Sequence, residues 1–222
     1  GDPGTGRVRP MKHPAQTIAY RVQHTLERAE ALQRLLPLLP KHTEVIVDHG
    51  EVANPCRGYL LCLKDPPETT HLCVIQDDAL PCKGFAAELE KAVAEKPDEV
   101  ISLFVGGLPG RTRKDFLAAL GDGQRWSPVY FREVHHVVAV VWPVSLIHEF
   151  LAWYEGARIP GPIPPRSDDA VVGYWARTRR KLFWATVPCL VEHPDDFPST
   201  IRNQSRFGDK GRRAIAFLDD VR

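Results

Sequence analysis

Apolar positions along this chain fall into two alternating patterns, short runs of strand-favouring residues and longer stretches at helical spacing. Residues 17–22 read as a first strand, after which Leu26, Ala29, Leu32, Leu35, Leu36 and Leu39 recur at helical spacing until Pro40. Residues 44–48 give a second short strand that ends on Asp48, with His49-Gly50 turning the chain. Asn54 and Pro55 have the chemistry of an N-cap and a first-turn proline for a helix reaching Leu63, which Asp65-Pro66-Pro67 ends. The run from His71 to Ile75 holds no turn former and stops on Gln76-Asp77-Asp78. A helix over 85–94 and a strand over 100–105 follow. Strands and helices alternate through this half, which predicts an α/β domain with a mostly parallel central sheet flanked by helices.

Residues 109–128 carry a weaker pattern. Arg111, Arg113 and Lys114 lead a short helix, Gly121-Asp122-Gly123 breaks it, and the stretch reads as a mobile surface excursion. Residues 134–142 form a strongly apolar strand whose His135 and His136 point to opposite faces. Pro143 then opens a helix over 144–154. The proline-rich stretch 159–165 excludes both a helix and a central strand. Ser167 or Asp168 caps a helix through Val172 and Trp175, and residues 182–186 and 189–191 supply the last strands. The expected organisation is a loose arm over 1–12, one domain over 13–201, and a basic segment over 202–222 packed on that domain.

At 222 residues and 43% hydrophobic content the chain can bury a proper core. Its formal charge of +1 excludes a global electrostatic footprint, so any surface for nucleic acid must be local. Cys56, Cys62, Cys73, Cys82 and Cys189 are odd in number, lack CxxC spacing and mostly keep apolar company, as reduced core cysteines do. No apolar run approaches the roughly 18 residues that span a bilayer, and the first residues are polar rather than signal-like. The expectation is a soluble, cytoplasmic protein without a membrane partner.

Three acidic or imidazole stations stand out at element ends: Gln76-Asp77-Asp78, Ser167-Asp168-Asp169, and Glu192-His193-Pro194-Asp195-Asp196. Adjacent carboxylates repel unless a cation sits between them, and oxygen ligands of this kind suit Mg²⁺ or Mn²⁺. The plainer reading of the first station is a solvated acidic turn, and that of His193 an ordinary turn histidine. At the carboxyl end of a central strand, however, Asp77 and Asp78 would lie where open α/β sheets bind ligands.

From about Thr17 to about Ile201 the order of elements and the three stations resemble the GT-A fold nucleotide-sugar glycosyltransferases, most closely glycosyltransferase family 25 and its small phage-encoded relatives. Gln76-Asp77-Asp78 matches that family's strand-end Glu-Asp-Asp motif, with Gln76 where an acid is usual. The resemblance implies a UDP-sugar donor and a Mn²⁺ or Mg²⁺ ion held by Asp78 and His193. It gives Gln76 a ribose or sugar contact and sets Asp77 in the donor site; Arg28, Asp48 and Arg57 lie near the ends of early elements, where the fold seats its nucleotide. Asp168 or Asp169 would supply the base of an inverting transfer. The basic clusters Arg177, Arg179, Arg180, Lys181 and Arg202, Arg206, Lys210, Arg212, Arg213 can neutralise phosphates locally. Together with the phage-enzyme resemblance they suggest DNA containing 5-hydroxymethylcytosine as acceptor, with Trp126, Tyr130 and Phe131 stacking beside a flipped base. A saccharide or lipid-linked acceptor, or a non-catalytic nucleic-acid-binding protein, are the alternatives.

Overall fold

The computed structural model describes residues 16–50, 54–134, 137–159, 167–194 and 213–221. Strand β1 (Ile18–His24) leads through a 3-10 turn (Leu26–Arg28) into α1 (Ala29–Leu35) and on to β2 (Glu44–Val47). Helix α2 (Pro55–Leu63) starts as its sequence dictates: the Asn54 side chain accepts the Arg57 N–H at 3.1 Å and Pro55 sits in the first turn. Then come β3 (His71–Gln76), β4 (Leu80–Pro81), α3 (Phe85–Glu95), β5 (Ile101–Ser102), α4 (Arg111–Gly121) and β6 (Trp126–Val129). The remaining elements are β7 (Ala139–Pro143), α5 (Val144–Gly156), α6 (Asp168–Arg179), β8 (Phe183–Thr186), β9 (Val191–Glu192) and α7 (Leu218–Val221).

One seven-stranded sheet has the order β2-β1-β3-β7-β5-β8-β6, and β4 pairs with β9 in a separate ribbon. Strands β1, β2, β3, β5 and β8 point one way, while β7 and β6 run against them. The expected mostly parallel α/β sheet is therefore present, with β7 inserted antiparallel at its centre. Alternation along β3 splits the core between the two faces of the sheet. Leu72 and Val74 join Val140 and Trp142 of β7 against buried residues of α2, α4, α5 and α6; Cys73 and Ile75 join Ala139 and Val141 against α1 and α3. The five cysteines are buried, in keeping with their apolar sequence context. Among the described residues no helix is long and apolar enough to cross a membrane.

The short helix led by Arg111 forms as α4 and ends at Gly121 where the chain predicts a break, but the stretch is no surface excursion: α4 packs on the domain and the edge strand β6 follows it. Thr112, Phe116 and Ala119 are buried on one side of α4, and its first amides, Arg111 N–H and Thr112 N–H, donate to the Glu133 carboxylate at 3.0 and 2.6 Å. The many charged residues of α4 masked that face. Strand β7 begins at Ala139, later than the apolar run suggested, because residues 131–133 turn in a 3-10 conformation. His135 and His136 lie outside the described residues.

Trp142 is the keystone of one face: fully buried, it meets Phe150, Trp175 and Phe183 at centroid distances of 5.4, 5.2 and 5.7 Å, and its Nε1–H donates to the Tyr59 hydroxyl at 2.8 Å. Trp142→Ala is expected to cost about 3–5 kcal/mol, the range for deleting a large buried aromatic. Tyr59→Phe, which strands the indole N–H, should cost about 1–3 kcal/mol. Urea unfolding midpoints measure both, and a Trp142→Ala midpoint equal to wild type would rule out this packing.

Candidate active site

The parallel trio β2-β1-β3 ends in step. Asp48 N–H donates to the His24 carbonyl at 3.0 Å and Asp77 N–H to the Gln23 carbonyl at 3.1 Å, so three strand ends deliver His24, Asp48 and Asp77-Asp78 to one edge. That edge is where open α/β sheets leave a ligand crevice. The carboxylate pair is buried, at 3% and 1% exposure. The cation between the two acids is a guanidinium: Arg28 Nη1 lies 3.1 Å from Asp77 Oδ1 and 2.5 Å from Asp78 Oδ2. The 3-10 turn after β1 folds Arg28 back over the strand end and thereby sets this bridge. Asp77 Oδ2 also accepts the Thr25 N–H at 3.1 Å and lies 2.8 Å from His24 Nδ1. Burial outweighs these partners and holds the Asp77 carboxyl above the ordinary aspartate range.

His193 reaches the same place by a route that no long pattern announces. The two-residue strands β4 and β9 pair antiparallel, Leu80 with Glu192 and Pro81 with Val191, and set His193 Nε2 3.1 Å from Asp78 Oδ2. Glu192 fixes the turn: its Oε1 accepts both His193 N–H at 2.7 Å and Ala214 N–H at 2.8 Å, while its Oε2 pairs with Arg213.

The second station joins the first through Gln76, whose Nε2 donates to Asp168 Oδ2 at 3.1 Å. Ser167 caps α6 by accepting the Ala170 N–H, which places Asp168 and Asp169 in the first helical turn. The two acids then diverge. Asp168 is 5% exposed, and burial followed by the neighbouring Asp169 pushes its carboxyl well above the ordinary value. Asp169 is half-buried, uses Oδ1 to accept the Val137 N–H at 3.1 Å, and lines an open cleft of about 420 Å³. All three stations are thus brought together: Asp78 with His193, and Gln76 with Asp168.

Other sequence candidates sort differently. Asp48 and Arg57 form a bidentate pair at 2.6 and 2.9 Å beside Gly50, where a Cβ would collide with the guanidinium. Burial opposes ionisation of Asp48, and Arg57 with the Gly50 and Asn54 N–H groups overcomes it to hold the carboxyl below its ordinary value. Arg179 pairs with Glu149 at 3.3 Å and Arg213 with Glu192 at 3.3 Å, and Arg180 forms the left-handed C-cap of α6. Arg177 stands over Tyr174 and lines the cleft beside Asp169. Arg202, Arg206 and Arg212 lie outside the described residues. Trp126 and Tyr130 are tied down at the surface, Trp126 Nε1–H donating to Glu95 and Tyr130 O–H to Asp115, so of the three expected stacking aromatics only Phe131 reaches the cleft. Sequence reasoning missed His24 and Thr25, and named Glu192 in the third station without the turn-fixing role it has here. Extending β1 by two residues past Val22 would have placed His24 at the strand end.

No family model matches the chain and no curated protein matches it. Among solved structures it is similar to the crystal structure of A197 from STIV, at 13% identity over 82% of this chain and 86% of that chain, with a TM-score of 0.44. So loose a likeness carries no argument about activity.

The two raised carboxyls give a pH signature. Their folded-state values lie above the unfolded one, so the folded protein holds the extra protons, and the stability they contribute is full below the ordinary value of 3.8 and falls as pH rises through the raised values. Asp168→Asn, neutral at every pH and close in shape, is expected to flatten the decline in unfolding free energy as pH rises above the ordinary value of 3.8. An unaltered slope in this variant would contradict a raised Asp168.

Proposed function

We propose that this protein is a glycosyltransferase of GT-A type that moves a sugar from a nucleotide diphosphate donor to a hydroxyl acceptor. The observation that carries the reading is the meeting of Asp78 with Arg28 and His193, and of Gln76 with Asp168, at the carboxyl end of β3. A departing nucleoside diphosphate gains negative charge as its bond to the anomeric carbon breaks, and cationic groups at that edge stabilise it. Arg28 is one such group. Asp48 and Arg57 sit at the neighbouring strand end, in the position proposed for the nucleoside.

A divalent cation fits this donor set only in part. Among the described residues no group of three or more His, Cys, Asp or Glu side chains forms a metal cluster. Asp78 and His193 are two ligands, and Mg²⁺ commonly takes one or two protein ligands with substrate phosphates filling the rest of its sphere. Mn²⁺ or Mg²⁺ is therefore proposed to bind with the donor diphosphate, supplying Lewis-acid stabilisation of the leaving group. Arg28 contacts the same Asp78 oxygen and would share that carboxylate or release it.

In the proposed transfer the acceptor oxygen forms the new bond to the anomeric carbon, the bond to the phosphate oxygen breaks, and the hydroxyl proton passes to a carboxylate. Asp169 is the proposed base, since it lines open space, while Asp168 is buried and holds Gln76. The donor proposed from the family resemblance is a UDP-sugar. The acceptor proposed on the same ground is the hydroxymethyl group of 5-hydroxymethylcytosine in DNA, with a saccharide or lipid-linked hydroxyl as the alternative.

Incubation with a panel of nucleotide sugars, with Mn²⁺ or with chelator, tests the reading. Slow donor hydrolysis that disappears in Asp78→Ala is expected; no turnover of any donor would refute it. With a working acceptor, Asp169→Asn should lower kcat by about a hundredfold or more at nearly constant KM, the scale of general base catalysis. Asp168→Asn should have the smaller effect on kcat, and the reverse ranking would exchange the roles.

A further inference from the structure

The cleft beside Asp169 has walls from two elements, the 3-10 turn Phe131–Glu133 and helix α6. Gly173 lets those walls approach closely: a Cβ there would stand 3.0 Å from the Phe131 carbonyl oxygen and 3.5 Å from Val134 Cβ, so a larger residue would push helix and turn apart by a few tenths of an ångström. Phe131 and Val134 supply an apolar floor, and the cleft encloses about 420 Å³. Its charges are segregated. Arg132 stands on one wall and Arg177 on the other, both exposed, whereas the carboxylate of Asp169 lies at the N-terminal end of α6.

The two arginines differ from the neighbouring cations in what they touch. Arg179 is occupied by Glu149, Arg125 by Glu88 and Glu95, and Arg213 by Glu192. Among the described residues Arg132 and Arg177 have no acidic partner, and Arg177 contacts only the Tyr174 ring, at 5.8 Å. Tyr174 in turn packs at a tilt against Trp153 at 5.9 Å, which steadies the platform under Arg177. Guanidinium groups beside an aromatic wall are the elements with which proteins hold single nucleic-acid strands, the phosphate on the cation and the ring on the apolar surface. A cleft of about 420 Å³ lies in the range that seats one small-molecule-sized unit, such as a single nucleotide.

We infer that this cleft binds a single nucleic-acid strand, with a phosphate at Arg132 and Arg177 and a hydroxyl-bearing unit directed at Asp169. Along α6 the eight steps from Asp169 to Arg177 rise roughly 12 Å at 1.5 Å per residue. Much of that distance is covered by the arginine side chain, which leaves a separation between phosphate and hydroxyl on the scale of one nucleotide. The inference rests on the transferase reading for the role of Asp169; strand binding itself needs no donor.

Fluorescence anisotropy with labelled oligodeoxythymidylate over a range of salt concentrations tests it in the absence of nucleotide sugar. Each lost phosphate contact on a single strand removes about 0.7 from the log–log salt slope, so Arg132→Ala with Arg177→Ala should lose about 1.4. Arg132→Lys with Arg177→Lys, which keeps both point charges, should retain most of the slope. Arg125→Ala, outside the cleft and paired with Glu88 and Glu95, should match wild type. A double alanine variant with the wild-type slope overturns the proposal. So does thymidine monophosphate competing as strongly as the oligomer, which would make the ligand a free nucleotide. Strand binding with no donor turnover would sink the transferase reading and leave the cleft standing, while turnover without strand binding would do the opposite.

Discussion

The arrangement at the sheet edge depends on one buried charge, the Arg28 guanidinium between Asp77 and Asp78. Two carboxylates at 3% and 1% exposure repel each other and have lost most of their hydration, and either alone would cost several kcal/mol to keep ionised at such burial. Arg28 offsets part of that cost with one nitrogen. Thr25 N–H and His24 complete the shell of Asp77, and His193 reaches Asp78 from the far side. Such a cluster is a poor way to gain stability, since apolar residues of similar volume generally hold a fold as well or better. The cluster sits instead where open α/β sheets place their ligand crevice.

The fold serves that cluster by register. β1 pairs with both β2 and β3 in parallel, so a single strand length fixes where Asp48 and Asp77 emerge. Arg21 locks the opposite side of the same trio: its Nη1 donates to the carbonyls of Cys62 and Lys64 and its Nη2 to that of Asp65, closing the C-terminus of α2 onto β1, while its Nε pairs with Glu44 of β2. The antiparallel β7 fills the centre of the sheet and carries Trp142 into the aromatic cluster with Trp175 of α6. Packing at that cluster therefore anchors the helix whose first turn presents Asp168 and Asp169.

How much of this was legible depended on the length of each signal. The β3 run, the Asn54 cap and the Ser167 cap each carry several agreeing residues, and all three elements form where the chain predicts them. The two-residue strands β4 and β9 contain no periodicity to read, and yet they bring His193 to Asp78. The need for a cation between adjacent carboxylates was readable, but its nature was not, because Arg28 is distant in sequence and only the turn after β1 returns it. Helix α4 was legible from Arg111 to the Gly121 break, but its buried face was not, because Thr112, Phe116 and Ala119 are interspersed with charged residues. The difference between Asp168 and Asp169 has no sequence signal at all; it arises from which of the two faces Gln76 across 92 residues of chain.

The account turns on whether a nucleotide diphosphate binds at the Arg28–Asp78–His193 edge. A crystal structure of the protein with uridine diphosphate and Mn²⁺ measures this directly. The prediction is diphosphate density at that edge, an anomalous Mn²⁺ peak within coordination distance of Asp78 and His193, and the nucleoside beside Asp48 and Arg57. Nucleotide bound elsewhere on the molecule, or no nucleotide at saturating concentration, would contradict it.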